Sequence, residues 1–340
     1  MSGAPLRILL SRQGAAAMGE RIARVMEDMP HAMLIAEELA PGADADLAFV
    51  SRDVTGNSTK HELMPQTQHF YELLRAAASL RWVQTHAAGS DRPVFGELLA
   101  RGVAVTTSSG ANALVVAQSA LAGVLALARR YPMLRAAQRE RRWIPIQAAA
   151  MPRDLQSQTA VIVGWGPVGQ KIAALLHVAG LRCIVVRSSN EPAGAPAEST
   201  VRYEEMAQVM PRADWLVLAC PLSDRTRALI DARALAMLPP GAHVVNVARG
   251  EVVVQEDLVA ALRSGALAGA CLDVFQHEPL PTASPLWGMD NVIVTPHAAG
   301  HSDGNEKRVA QMFLANLARH LQGVPLANSV ARGLQVATLP

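Results

Sequence analysis

The sequence predicts an α/β protein whose strands run parallel to one another. Through the first hundred residues, short apolar runs alternate with stretches of helical composition, and strand and helix patterns alternate again after residue 158. Hydrophobic residues make up 50% of the 340 residues and charged residues 18%, which is too apolar for a disordered chain and sufficient for a large core. Strands that alternate with helices usually form parallel sheets, and a chain of this length commonly forms two domains.

The first hundred residues supply the first elements. Residues 6–10, 47–50 and 80–85 are apolar runs of strand length, and residues 102–107 contain the β-rich run VAVTT. Residues 66–78 have the composition of a helix. These runs predict the first of the parallel strands.

A long apolar helix is predicted from about residue 111 to residue 130. Its stretch 111–128 is about as long as a bilayer is thick, but it contains Asn112, Gln118 and Ser119, which favour a buried helix. The apolar run near the N-terminus is too short for a secretory signal. The three cysteines match no metal-ligand or disulfide spacing. We therefore expect a cytoplasmic protein that binds neither metal nor membrane.

The charge balance argues against binding of nucleic acids. The sequence has 31 Lys and Arg against 29 Asp and Glu, so the formal net charge is 31 − 29 = +2. Six arginines nevertheless lie between residues 129 and 142. They could form a phosphate- or nucleic-acid-binding patch, but a solvated face that pairs with acids of a partner subunit is the favoured interpretation. Residues 188–200, rich in Pro, Ala and Ser, are predicted to be a flexible stretch.

A glycine motif between a strand and a helix is the most informative segment. It reads GWGPVG, follows the β-branched run 159–163, and precedes a helix and a second strand, 183–186. In this context Gly164 allows a tight turn, Gly166 lets the backbone approach a pyrophosphate, and Gly169 allows close packing of the helix on the strand. Residues 159–186 therefore predict a site for a dinucleotide cofactor.

The residues after the second strand indicate which dinucleotide. Sites for NAD usually have an acid there, which binds the adenine ribose hydroxyls. This chain has Arg187, Ser188 and Ser189 instead. A guanidinium can pair with a 2′-phosphate, and two hydroxyls can donate further hydrogen bonds to it. We expect NADP(H) as the preferred cofactor, with NAD(H) as the alternative if Arg187 only stacks on adenine or faces solvent.

Three later strands are predicted to bring Arg249, Glu278 and His297 to one edge of the sheet. The segments HVVNVARG, ACLDVFQHEPL and NVIVTPHAAG each begin as a strand and end close to one of these residues. The carboxyl ends of strands line the ligand crevice of such sheets. Each residue also has a purely structural interpretation, but together with the glycine motif they favour a catalytic site.

This set of residues suits the interconversion of a 2-keto acid and a 2-hydroxy acid. The fork of Arg249 matches a carboxylate, and the imidazole of His297 can exchange a proton near neutral pH. A carboxylate such as Glu278 favours the charged imidazolium. His277 and His301 are alternative bases, whereas His243 opens a strand and is discounted.

The chain resembles the D-isomer-specific 2-hydroxyacid dehydrogenase family. The resemblance spans about residues 114–300 and rests on the glycine motif and the segments CPLSDRTRALI, VNVARG, CLDVFQHEPL and TPHAAG. It implies that Arg249 binds the substrate, that Glu278 is the partner of the histidine and that His297 is the general acid/base. It implies that the backbone of Ala88 and Gly89 binds the substrate carboxylate. It also implies contacts with the cofactor at a larger set of residues: Gly164, Gly166, Pro167, Val168, Gly169, Cys220, Pro221, Thr226, Val247, Ala248 and Asp273.

The resemblance also implies an architecture and an activity. A Rossmann-type, doubly wound cofactor domain, residues 110–300, would be inserted into a flavodoxin-like substrate domain formed by residues 1–109 and 301–340. The expected reaction is reduction of glyoxylate, hydroxypyruvate or a similar 2-keto acid by NADPH to the D-2-hydroxy acid. The expected assembly is a homodimer through the cofactor domains. The alternative is a non-catalytic, NAD(P)-sensing protein similar to the corepressors that share this fold.

Overall fold

The computed structural model describes residues 4–59, 62–146, 151–189 and 191–330. These residues divide into two compact units, one within Met1–Asn112 and Ser302–Pro340 and the other within Ala113–His301.

The first unit is a five-stranded parallel sheet in the order β2-β1-β3-β4-β5, the flavodoxin-like order. Its elements are β1 (Leu6–Leu10), α1 (Arg12–Met26), β2 (His31–Ile35), β3 (Leu47–Val50), α2 (Arg52–Thr55), α3 (Pro65–Ala76), β4 (Trp82–Thr85), α4 (Pro93–Ala100), β5 (Ala104–Thr106) and, from the end of the chain, α10 (Asn305–Leu321). The predicted strands at residues 6–10 and 47–50 are confirmed as β1 and β3, whereas β4 and β5 are shorter than predicted. The predicted helix at residues 66–78 is α3.

The last helix, α10, completes the core of the first unit. Its Phe313 is fully buried and stacks against Trp82 of β4, with ring centroids 5.4 Å apart, and it lies 4.8 Å from the ring of Phe49 in β3. Aromatic pairs at these distances bury large apolar areas. Helix α10 is therefore part of the same core as elements from the first hundred residues.

The second unit is a seven-stranded parallel sheet in the order β12-β11-β10-β9-β6-β7-β8. Its elements are α5 (Ala113–Ala128), α6 (Tyr131–Arg139), β6 (Thr159–Val163), α7 (Pro167–Val178), β7 (Arg182–Arg187), β8 (Ala197–Arg202), β9 (Trp215–Leu218), α8 (Ala232–Ala236), β10 (Ala242–Asn246), α9 (Gln255–Ser264), β11 (Leu267–Leu272) and β12 (Val292–Val294). All residues of β6 and β9 are buried, as in sheets covered on both faces. The strand order reverses between β6 and β9, which makes this a doubly wound sheet. The predicted fold class is confirmed.

Two local predictions are corrected. The helix predicted over residues 111–130 spans only Ala113–Ala128, because Arg130 adopts a left-handed conformation with φ 60° and a second helix, α6, follows at an angle of 69°. Over the described residues, no single helix is long and apolar enough to span a membrane; α5 and α6 meet that test only when taken together. The stretch 188–200 is not a flexible segment throughout, since its last four residues belong to β8.

Candidate active site

The glycine motif forms the turn between β6 and α7. Gly164 has φ 109°, and a Cβ there would lie 2.7 Å from the carbonyl oxygen of Ala219 and 2.6 Å from the nitrogen of Cys220. A Cβ on Gly169 would overlap the carbonyl oxygen of Gly164. Both positions exclude a side chain, because β6 and β9 are neighbours and α7 packs close to its own turn. The motif is thus built as its sequence predicts.

Gly166 differs from the other two glycines because it faces open space. A Cβ on Gly166 would meet no heavy atom of the described residues within 4 Å. It is the N-cap of α7, and Pro167 follows within the first turn of that helix. The first turn of a helix has backbone N–H groups without partners in the helix. An unobstructed glycine at this position fits the pyrophosphate of a dinucleotide.

Arg187 is the last residue of β7, and its side chain is 22% exposed. Its Nη1 donates to the carbonyl oxygen of Glu191 at 3.3 Å, and its Nη2 lies 3.5 Å from Oε2 of the same residue. Glu191 was not among the residues predicted for the cofactor site. The spacing of four residues between Arg187 and Glu191 can be read from the sequence, but the contact between the two side chains cannot. Ser188 is exposed, whereas the hydroxyl of Ser189 is buried without a hydrogen-bond partner among the described residues.

The loop after β9 turns two of its side chains inward, whereas Pro221 is exposed. Cys220 is 3% exposed and Thr226 is 2% exposed. The Thr226 hydroxyl donates to the carbonyl of Pro221 at 2.6 Å and accepts from the backbone N–H of Ser223 at 2.8 Å. Burial raises the pKa of Cys220 to about 12. Both side chains therefore stabilise the loop itself.

The loop after β10 holds Arg249. The buried amide of Asn246 donates to the carbonyl of Arg249 at 3.1 Å and accepts from the N–H of Ala248 at 3.0 Å. A Cβ on Gly250 would overlap the backbone of Phe275, so the loops after β10 and β11 are in direct contact. Arg249 is half-buried and its Nη1 donates to the Ala248 carbonyl at 2.7 Å. Val247, two residues before Arg249, is also implied by the resemblance to contact the cofactor, and it is half-buried too.

Asp273, directly after β11, fixes the loop that carries His297. Its Oδ1 accepts from the hydroxyl of Thr295 at 2.6 Å and from the N–H groups of Ala298 and Ala299 at 2.8 and 3.0 Å. Its carbonyl accepts from the N–H of His297 at 2.8 Å. The side chain is only 4% exposed. This role could not be predicted from the sequence, because the donors lie more than 20 residues further along the chain.

His297 and Glu278 form a hydrogen-bonded pair. Nδ1 of the imidazole lies 2.8 Å from Oε2 of the carboxylate, and Oε1 accepts from the N–H of Phe275 at 3.0 Å. The His297 side chain is 51% exposed and that of Glu278 is 24% exposed. His297 has φ 51°, a left-handed conformation that is uncommon for a residue with a side chain and is found at functional sites.

The three residues follow adjacent strands, as expected, but they do not lie in them. β10, β11 and β12 are neighbours in the sheet and end at Asn246, Leu272 and Val294. Arg249, Glu278 and His297 are therefore loop residues, three to six positions beyond each strand.

The alternative histidines lie in different surroundings. His277 and His301 are exposed. His243 is the second residue of β10 and stacks on Trp215 with ring centroids 4.3 Å apart. Burial, followed by nearby Arg130, lowers the pKa of His243 to about 4. His243 is half-buried at the start of its strand, far from the carboxyl end, which is the position for which it was discounted as a base.

In the first unit, Ala88 and Gly89 lie in the loop after β4. This loop is fixed by His86, whose Nε2 lies 2.8 Å from Oγ1 of Thr55. Burial, followed by neighbouring arginines including Arg92, lowers the pKa of His86 to about 4, so its ring is neutral at physiological pH. His86 was not predicted as a site residue, because nothing in its neighbours along the chain marks it as half-buried.

Comparison with known families gives a match over residues 121–299 to the D-isomer specific 2-hydroxyacid dehydrogenase, NAD binding domain. Two relatives are each 34% identical. One is an (S)-sulfolactate dehydrogenase from Chromohalobacter salexigens, matched over 74% of this chain and 80% of its own. The other is a glyoxylate reductase from Korarchaeum cryptofilum, matched over 74% and 76%.

Among solved structures, a D-isomer specific 2-hydroxyacid dehydrogenase from Xanthobacter autotrophicus Py2, in complex with NADPH and MES, is 30% identical. It superimposes with a TM-score of 0.75 and covers 97% of this chain and 98% of its own. These matches identify an oxidoreductase with a domain for a nicotinamide cofactor.

Proposed function

The chain belongs to the D-isomer specific 2-hydroxyacid dehydrogenase family, and from that premise we propose that it uses NADPH to reduce a small 2-keto acid, such as glyoxylate or hydroxypyruvate, to the 2-hydroxy acid, in the D configuration where the product is chiral. The observation that carries the proposal is the His297–Glu278 pair, with Nδ1 and Oε2 2.8 Å apart, on the same sheet edge as Arg249 and the glycine turn. A proton donor and a carboxylate-binding cation at one edge are what reduction of a keto acid requires.

The residues present fit the cofactor. The open side of Gly166 and the first turn of α7 would take the pyrophosphate. Arg187 and the buried hydroxyl of Ser189 would take the 2′-phosphate of NADP(H). When bound, the reduced nicotinamide supplies the hydride. The complex of the Xanthobacter relative with NADPH supports this preference.

The protein's own groups would handle the substrate and the proton. The guanidinium of Arg249 would hold the carboxylate of the keto acid and polarise its carbonyl. Nδ1 of His297 faces Glu278, so Nε2 would deliver the proton to the carbonyl oxygen. Glu278 stabilises the imidazolium and fixes the ring, because its second oxygen is held by the N–H of Phe275.

Some functional assignments from the sequence stay predictions. Three of them rest on the resemblance alone: substrate binding by the backbone of Ala88 and Gly89, contact of Asp273 with the nicotinamide, and the homodimer through the cofactor domains.

Steady-state kinetics with NADPH and with NADH over a panel of 2-keto acids tests the proposal. The panel includes sulfopyruvate, since one relative is a sulfolactate dehydrogenase. We expect faster turnover with NADPH, and we expect Arg249→Gln and His297→Asn each to lower kcat/KM by at least about 100-fold. Asn tolerates the left-handed backbone at position 297. His277→Asn, which removes an exposed neighbouring histidine, serves as the control and retains activity.

Two results would contradict the proposal. Near-normal turnover by His297→Asn would mean that another group donates the proton. Tight dinucleotide binding without turnover of any acid in the panel would leave only a non-catalytic, NAD(P)-sensing protein.

A further inference from the structure

An acid lies beside the arginine that is proposed to bind the 2′-phosphate. Nη2 of Arg187 is 3.5 Å from Oε2 of Glu191, and Nη1 donates to the Glu191 carbonyl oxygen at 3.3 Å. The Glu191 side chain is 80% exposed, whereas that of Arg187 is only 22% exposed. The arginine is therefore held by the protein, while the carboxylate can turn into solvent.

The neighbouring strand repeats this arrangement. Arg202, the last residue of β8, is the register partner of Arg187. Like charges opposite each other repel, and each guanidinium here has an acid of its own. The Nε of Arg202 lies 3.6 Å from Glu205. This corner of the sheet thus has two arginines whose charges are balanced from within the chain.

We propose that Glu191 is a specificity-determining residue, because its carboxylate is the internal counterion of Arg187 that the 2′-phosphate of NADP(H) displaces. A phosphate that pairs with Arg187 meets a negative charge already in place, and it must separate the ion pair or tolerate the repulsion. NAD(H) has no 2′-phosphate and leaves the pair intact. Glu191 therefore narrows the preference for NADP(H) over NAD(H). The inference rests on the proposed use of Arg187 for the 2′-phosphate.

The substitution Glu191→Gln isolates this effect. It removes the carboxylate charge but keeps the backbone carbonyl that accepts from Nη1, so the loop retains its contact with Arg187. Pairs with one well exposed partner contribute little, and we therefore expect a gain in affinity for the phosphate of about two- to fivefold.

Isothermal titration calorimetry on the full chain, with 2′,5′-ADP and 5′-AMP as ligands, measures the effect without turnover. The two ligands differ only by the 2′-phosphate. We expect Glu191→Gln to bind 2′,5′-ADP about two- to fivefold more tightly than the unsubstituted protein and 5′-AMP with unchanged affinity. We expect Arg187→Ala to weaken binding of 2′,5′-ADP and to abolish the gain in the double variant.

Glu198→Gln is the matched control. Glu198 pairs with an arginine at a similar distance, 3.4 Å from Nη2 of Arg212, and is 46% exposed. It lies near the start of β8, at the opposite end of the strand from Arg202. The same loss of one negative charge there should leave both affinities unchanged.

The outcomes separate the inference from the function on which it rests. If Arg187→Ala weakens 2′,5′-ADP binding but Glu191→Gln does not strengthen it, the role of Glu191 is wrong and the 2′-phosphate site stands. Equal tightening of both ligands in Glu191→Gln, or the same gain in Glu198→Gln, also overturns the inference. If Arg187→Ala binds 2′,5′-ADP normally, both the inference and the proposed phosphate site fail.

Discussion

Replacing Glu278 by Gln tests how the proposed acid/base histidine is supported. Glutamine has the same length and can still accept from the N–H of Phe275, which now binds Oε1 at 3.0 Å. The carboxylate oxygen 2.8 Å from Nδ1 of His297 is replaced by a neutral group. An imidazolium at position 297 then loses its counterion, while the neutral ring loses much less. The variant therefore removes the charge of Glu278, and the acceptor that faces Nδ1, while keeping the size of the side chain.

The geometry of the pair sets the magnitude. Opposite charges centred about 4 Å apart attract by about 1 kcal/mol in water and about 4 kcal/mol at the effective dielectric constant near a protein surface. The His297 side chain is 51% exposed and that of Glu278 is 24% exposed, so solvent screens the pair. We expect a loss of about 1–2 kcal/mol of transition-state stabilisation, which is a fall of about 5- to 30-fold in kcat/KM.

The assay is steady-state oxidation of NADPH at neutral pH with the most active keto acid of the panel. We expect the loss in kcat, with KM for the keto acid within about twofold of the original value, because Arg249 is untouched. Glu256→Gln, in the exposed first turn of α9, is the control for loss of one carboxylate. Unchanged kcat in a folded Glu278→Gln protein, or a rise in KM alone, would refute the reasoning.

Three further substitutions test other parts of the structure. Gly166 and Gly288 both face open space, so Gly166→Ala and Gly288→Ala should each leave the free energy of unfolding within about 0.5 kcal/mol of the original. Only Gly166→Ala should weaken NADPH binding, by about tenfold or more in a fluorescence titration. His243→Phe keeps a ring on Trp215 and removes a histidine whose pKa is lowered to about 4. Below about pH 6.5 the unfolded chain takes up a proton at His243 that the folded protein does not, so the free energy of unfolding falls between pH 7 and pH 5. In urea unfolding, the His243→Phe protein should lose about 1–2 kcal/mol less of this free energy over that range than the unsubstituted protein. Equal losses in the two proteins would contradict the burial of this histidine. Gly250→Ala would force a Cβ into the backbone of Phe275 and should lower the free energy of unfolding by about 2–3 kcal/mol, seen as a lower Tm; an unchanged Tm would mean that these loops separate at little cost.

The fold was predictable because its determinants are local in sequence. The run 47–50 reads as a buried strand from its apolar residues alone, and it forms β3 at those positions. The glycine motif carries its meaning in its spacing, and Gly164 and Gly169 lie where only glycine fits. In contrast, the bend between α5 and α6 depends on a left-handed Arg130, and arginine gives no signal for that conformation.

The candidate site was predictable only in part. Arg249, Glu278 and His297 could be assigned to one edge because parallel neighbouring strands end there. The anchoring of the His297 loop by Asp273 and the pairing of Arg187 with Glu191 could not be assigned. Both depend on loop conformations, which are determined by hydrogen bonds to residues distant in the chain or by turns without a distinctive residue.

In the second unit, the order of the strands places the residues proposed for dinucleotide preference apart from those proposed for the chemistry. Arg187 ends β7 and Glu191 comes shortly after it, on one side of the junction between β6 and β9, whereas Arg249, Glu278 and His297 follow β10, β11 and β12 on the other side. The residues proposed to set the dinucleotide preference thus lie in a different part of the sheet from those proposed to bind the substrate and transfer the proton. On the proposed roles, a change of reductant would require substitutions along one half of the sheet only, and the residues proposed for proton transfer in the other half could stay as they are.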